Sequence, residues 1–134
     1  AYSKRLDGAT LAIIDKRREN PNVSEVMNLV GEVKGKDAII VDDMIDTAGT
    51  MTKAADKMVE MGAKSVRAMA THPVLSGPAY ERINESKISE VVVTDSLPIK
   101  PISDKIKVLS IAGVFTDVIK KVYNYQSISA NFIF

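Results

Sequence analysis

Short apolar runs alternate along this chain with amphipathic stretches. The runs are Leu11-Ala12-Ile13-Ile14, Ala38-Ile39-Ile40-Val41, Ser65 to Ala70, Val91-Val92-Val93 and Ile106-Lys107-Val108-Leu109. Each is short and rich in Val or Ile, the pattern of strands buried in a parallel sheet. Between the second and third runs, Met51, Ala54, Ala55, Met58 and Val59 fall at i, i+3, i+4, i+7 and i+8, with Lys53, Asp56, Lys57 and Glu60 on the opposite side. That spacing predicts an amphipathic helix, and Gly62 stands where a left-handed C-terminal cap belongs. Pro78 to Asn84 reads as a shorter helix, with Ser76 as its cap and Pro78 in the first turn, where no amide hydrogen is needed. Val114 to Tyr123 reads as a third, with Val114, Val118, Ile119 and Val122 on one face. Strand–helix alternation of this kind predicts an α/β domain built on a parallel sheet with right-handed crossovers. Lys16 to Ser24, polar and containing Pro21, reads as a mobile loop, and Ser96 to Lys105, with Pro98 and Pro101, as a surface connection. With no repeat or linker in view, residues 1–134 are expected to form one domain.

Composition narrows the chemistry. Eighteen basic against 17 acidic residues leave a formal net charge of +1, which argues against nucleic-acid binding driven by bulk charge. With no Trp and 5% aromatics, a base-stacking platform is not expected either. Cysteine is absent, which excludes disulfides, thiolate catalysis and zinc–cysteine sites, and His72 is the only histidine. A metal site within this chain is therefore not expected, and His72 reads as a structural or loop-positioning residue. Met51, Met58, Met61 and Met69 suit core packing. No apolar run approaches the roughly 18 residues of a membrane span, and no targeting signal is visible, so the expected location is the cytoplasm.

The segment richest in chemistry runs from Ile39 to Met51: an apolar run, then Asp42-Asp43, then Asp46-Thr47-Ala48-Gly49-Thr50 opening the amphipathic helix. Ligands of parallel α/β sheets bind at the carboxyl ends of strands. Backbone amides and two hydroxyls at a helix start suit a phosphate, and Gly49 lets the backbone approach without a Cβ. Ionised carboxylates only accept hydrogen bonds, so Asp42 and Asp43 call for a ligand that also carries hydroxyls. Phosphate at one end and a diol nearby describe a ribose 5-phosphate. The plain alternative is a set of acids at a helix start, favourable to its dipole.

This segment resembles the phosphoribosyl-diphosphate-binding signature of type I phosphoribosyltransferases and ribose-phosphate pyrophosphokinases. Further segments resemble the pyrophosphokinases: Leu11 to Arg18, Glu25 to Val33, Thr71-His72-Pro73 and Leu75-Ser76-Gly77-Pro78-Ala79. The resemblance implies a type I phosphoribosyltransferase-like fold. It implies a reaction in which ribose 5-phosphate and ATP give phosphoribosyl diphosphate and AMP, with Mg²⁺ as cofactor. It places Lys16 and Arg18 on a catalytic loop that stabilises charge on the transferring diphosphoryl group, Arg18 also touching ribose 5-phosphate. Asp42, Asp43, Asp46, Thr47, Ala48, Gly49 and Thr50 would bind that substrate. The Ser127 to Phe132 ending resembles a tail that helps form a regulatory pocket between subunits, which makes Ser127, Ser129 and Phe132 regulatory candidates in a homo-oligomer, a hexamer by resemblance.

The resemblance also implies that residues 1–134 are the C-terminal half of a longer enzyme, with ATP bound mostly by an N-terminal half that is absent. This chain alone is then expected to be inactive, whether as a fragment or as the ordered part of a longer protein. Two other functions share the ribose-phosphate segment: a type I phosphoribosyltransferase, which gives no reason for Lys16-Arg17-Arg18 or for the tail, and a non-catalytic pyrophosphokinase-like subunit, whose ribose site would be eroded.

Overall fold

The structure is a computed structural model and describes residue 6, residues 8–17 and residues 26–132. In chain order the elements are β1 (Ile13–Arg17), β2 (Val26–Val30), β3 (Asp37–Ile45), α1 (Gly49–Glu60), β4 (Ser65–Pro73), α2 (Ala79–Glu85), β5 (Glu90–Thr94), β6 (Ile106–Leu109) and α3 (Ala112–Tyr123), with a 3-10 turn at Ser129–Asn131. Strands β3 to β6 form a parallel four-stranded sheet in sequence order, and β1 pairs antiparallel with β2 in a separate two-stranded sheet.

The core is one face of the larger sheet. Register aligns Ile40 with Ala68, Ala68 with Val91 and Val91 with Ile106, and all four side chains are buried. Helix α1 covers this row with Met51, Ala54, Ala55 and Met58, and α2 adds Ala79 and Ile83. Alanines on both surfaces, Ala54 and Ala55 on the helix and Ala68 and Ala70 on β4, bring helix and sheet close together. Right-handed crossovers that always step in the same direction across a sheet place their helices on one face. The order β3-β4-β5-β6 does this, so Ile39 and Val41, on the opposite face, stay exposed.

The helix ends follow local chemistry. Gly62, at φ +91°, donates to Val59 O, and Ala63 donates to Met58 O, the paired bonds of a left-handed C-terminal cap. Helix α2 ends on Lys105 Nζ, which donates to the carbonyls of Ile83 and Ser86 at 3.1 and 2.9 Å.

Several expectations need correction. Leu11 to Ile14 is not a buried parallel strand: β1 starts at Ile13, belongs to the antiparallel pair, and leaves Leu11 and Ile13 exposed. A parallel pairing needs a crossover of a dozen or more residues, and residues 18–25 are too few for one. Lys16 and Arg17 lie on β1 rather than in a loop, and the rest of the predicted loop, residues 18–24, lies outside the described residues. Ser76 does not cap α2. Pro78 occupies the cap position, and the Ser76 hydroxyl bonds to Asp46. Met51 and Met58 are core residues as expected, whereas Met61 is exposed. Helix α3 starts at Ala112 rather than Val114, and Val114, Ile119 and Val122 of its apolar stripe are all more than half exposed.

Candidate functional site

The loop from Asp46 to Ala48 joins β3 to α1 at the carboxyl end of the parallel sheet. A pocket of about 180 Å³ lies there, lined by Asp42, Met44, Ile45, Asp46, Thr47, Ala48, Gly49, Thr50 and Met51. The structure thus brings together six of the eight residues proposed from sequence to bind a sugar phosphate. Of the other two, Arg18 lies outside the described residues, and Asp43 is adjacent on β3 but does not line the pocket. Strand β3 continues through both acids to Ile45 and does not end at them. Asp42 Oδ1 accepts the Asp43 amide at 2.9 Å and Asp43 Oδ1 accepts the Met44 amide at 2.8 Å.

Backbone geometry makes the loop. Ala48 sits at φ 59°, the left-handed region a residue with a Cβ seldom enters, and α1 begins with the next residue. Such outliers concentrate at binding sites when their surroundings hold them. Here the surroundings are visible. Thr52 donates to Ala48 O from its amide and its hydroxyl, both at 3.0 Å. Leu75 N–H donates to Ile45 O at 2.9 Å, Ser76 N–H to Asp46 O at 3.1 Å, and the Ser76 hydroxyl to Asp46 Oδ1. Arg82 Nη1 donates to Thr47 O at 3.0 Å. Leu75 is itself buried at φ 47°, so the supporting segment is as constrained as the loop. A helix start directs its first-turn amides outward, which gives this pocket a positive end suited to an anion.

Sequence reasoning missed Ser76 and Arg82 as parts of this site. Ser76 carried a signal in its motif but was assigned to its own helix, and Arg82 offered only a polar position on α2. Lys16 is placed on β1 by its backbone, and Arg18 lies outside the described residues. His72, beside the site at the end of β4, shares a 3.0 Å hydrogen bond between Nδ1 and Ser96 Oγ. Among the tail candidates, the Ser127 hydroxyl donates to that of Ser129 at 3.0 Å, Phe132 is exposed, and Asn131 Nδ2 donates to Asp117 of α3 at 2.6 Å, well away in sequence from the loop. Among the described residues, no three His, Cys, Asp or Glu side chains gather as a metal-ligand set. No helix among them is long and apolar enough to cross a membrane.

The sequence model of the phosphoribosyl synthetase-associated domain matches residues 9–133. The chain belongs to this family. Among the family's curated relatives, a ribose-phosphate pyrophosphokinase of Wolinella succinogenes is 55% identical over 126 residues, covering 94% of this chain and 41% of its own length. One from Bacillus caldolyticus is 57% identical over 126 residues, covering 92% and 40%. The crystal structure of phosphoribosylpyrophosphate synthetase from Mycobacterium smegmatis superposes with a TM-score of 0.83 at 42% identity, over 92% of this chain and 40% of that one. The chain thus spans about two fifths of the length of the synthetases it matches, and its parallel sheet is of the type I phosphoribosyltransferase-like fold.

Proposed function

We propose that this chain is the C-terminal part of a ribose-phosphate pyrophosphokinase and carries its ribose 5-phosphate site. The observation that supports this most is the pocket at the β3–α1 loop, in a chain more than half identical to named pyrophosphokinases. The 5-phosphate would lie against the amides of the 46–50 loop and the hydroxyls of Thr47 and Thr50. Asp42 and Asp43 would accept hydrogen bonds from the ribose hydroxyls, with Asp43 turning from its local amide to do so. In the longer enzyme the anomeric oxygen attacks the β-phosphorus of ATP. A C1–O–P bond forms, the α,β-bridging P–O bond breaks, AMP leaves, and the hydroxyl proton passes to solvent. Lys16 and Arg18 would stabilise charge on the moving diphosphoryl group, which grows in the transition state and rewards cations held there. ATP would be bound mostly by residues beyond this chain, and Mg²⁺ would arrive with the nucleotide's phosphates, where it neutralises their charge. The regulatory tail and the hexamer belong to the same proposal.

Calorimetric titration with ribose 5-phosphate tests the assignment. Asp42→Asn keeps the shape of the side chain and removes a charged acceptor, whose hydrogen bonds are worth about 1.5–3 kcal/mol. Affinity should fall by roughly ten- to hundredfold. Unchanged affinity would remove Asp42 from the ribose site.

A further inference from the structure

We propose that Arg82 is a positioning residue for the anion-binding loop, and that position 49 is glycine because the Arg82 guanidinium occupies the space a side chain would need. The proposal rests on reading the 46–50 loop as the phosphate site, and it adds to that site a residue from a different element.

Arg82 lies on α2, which is locked to the sheet by its neighbour Ile83, fully buried at 0% exposure. From that fixed base Arg82 Nη1 reaches back across the sheet end and donates to Thr47 O at 3.0 Å. Thr47 precedes Ala48, the left-handed residue of the loop. The carbonyl of Thr47 and the amide of Ala48 belong to one planar trans peptide and point in opposite directions. By holding the carbonyl toward α2, Arg82 fixes the Ala48 N–H on the far side. One hydrogen bond thereby sets the orientation of a peptide that the backbone alone does not favour. The guanidinium also places a positive charge beside the loop.

Gly49 supplies an independent observation. It does not adopt a positive φ, so its backbone is open to alanine, which is the better helix former at the start of α1. A Cβ built there would lie 3.1 Å from Arg82 Nη1 and 3.7 Å from Arg82 Cζ, with Thr47 Oγ1 at 3.9 Å. The atoms that make glycine the fitting residue are thus chiefly those of Arg82. A side chain at 49 and the Arg82–Thr47 bond compete for one space.

The test is a double-mutant cycle on the 134-residue chain with two readouts, ribose 5-phosphate affinity and the ¹H–¹⁵N shifts of the 47–50 amides without ligand. Arg82→Ala should weaken ribose 5-phosphate binding about tenfold and move the Ala48 amide. Gly49→Ala should do the same in the parent chain but change affinity by less than twofold when Arg82 is already Ala. Arg82→Lys, which keeps charge but not the fork, should leave the Ala48 amide displaced. Affinity within twofold of the parent in Arg82→Ala, or losses from the two substitutions that simply multiply, would overturn the proposal. Loop amides that stay in place in Arg82→Ala would overturn the positioning itself. Amides that move while ribose 5-phosphate binding responds neither to Asp42→Asn nor to Arg82→Ala would instead overturn the phosphate reading on which the proposal rests.

Discussion

Replacing Gly49 by Val separates the chemistry of the loop from the stability of the fold. The added Cβ would sit 3.1 Å from Arg82 Nη1, so the guanidinium must shift by a few tenths of an ångström, at a cost of at most its hydrogen bond to Thr47 O. An ordinary intramolecular hydrogen bond is worth about 0.5–1.5 kcal/mol. Against this, Val is a better helix residue than Gly by a few tenths of a kcal/mol. The expected net destabilisation is therefore about 1 kcal/mol or less, a shift in Tm of a few degrees for a domain of this size. Binding should suffer far more, because the branched side chain also stands in the pocket lining at the position where a phosphate must meet the backbone. Ribose 5-phosphate affinity should drop by at least tenfold. Thermal melting and calorimetry on the same preparation read the two effects separately. Ile88→Ala gives the opposite pattern, since that side chain is almost fully buried just before β5, at the sheet end away from the loop: about 2–5 kcal/mol of stability lost, with affinity kept in whatever remains folded. A Gly49→Val chain that binds ribose 5-phosphate like the parent would refute the placement of the phosphate.

If this chain is part of a longer pyrophosphokinase, as proposed, Lys16→Ala and Arg18→Ala in that enzyme should lower kcat about a hundredfold or more while changing the KM for ribose 5-phosphate little, by analogy with cations that assist other phosphoryl transfers; steady-state kinetics in which both variants keep most of the parent kcat would remove the role. Asp95 gives a pH prediction. Its carboxylate accepts the Ile111 amide at 2.9 Å, and that bond, with help from Ser110, holds its pKa below the ordinary 3.8. A group with a depressed folded pKa contributes stability above its unfolded value and loses it as pH falls through the folded one. The difference in Tm between the parent and Asp95→Asn should therefore be largest at neutral pH and shrink below pH 3.8, and a constant difference across a melting series would contradict it.

The main sheet and α1 were legible because each rests on local chemistry: the β-branched runs of β3, β5 and β6, the helical spacing from Met51 to Val59, and Gly62 as cap. The β1–β2 pair was not. An apolar run such as Leu11 to Ile14 looks the same in a parallel and an antiparallel strand, and only the short separation from Val26 decides between them. The stripe on α3 was legible as a stripe, but periodicity records which face is apolar and not what covers it. At the site, the loop residues announced themselves by composition, whereas the residues that hold the loop did not. Ser76 and Arg82 lie about 30 or more positions from their partners Asp46 and Thr47, and nothing local to either sequence segment links them.

On this reading the β3–α1 loop takes the phosphate of ribose 5-phosphate. The most direct measurement is an amide shift map of the 134-residue chain during titration with ribose 5-phosphate, with ribose as the control. Ribose 5-phosphate should move the amides of residues 46–50 first and furthest, Asp42 and Asp43 should follow, and ribose without phosphate should leave the loop amides in place. Shifts confined to other parts of the chain, or equal loop shifts with ribose and ribose 5-phosphate, would contradict it.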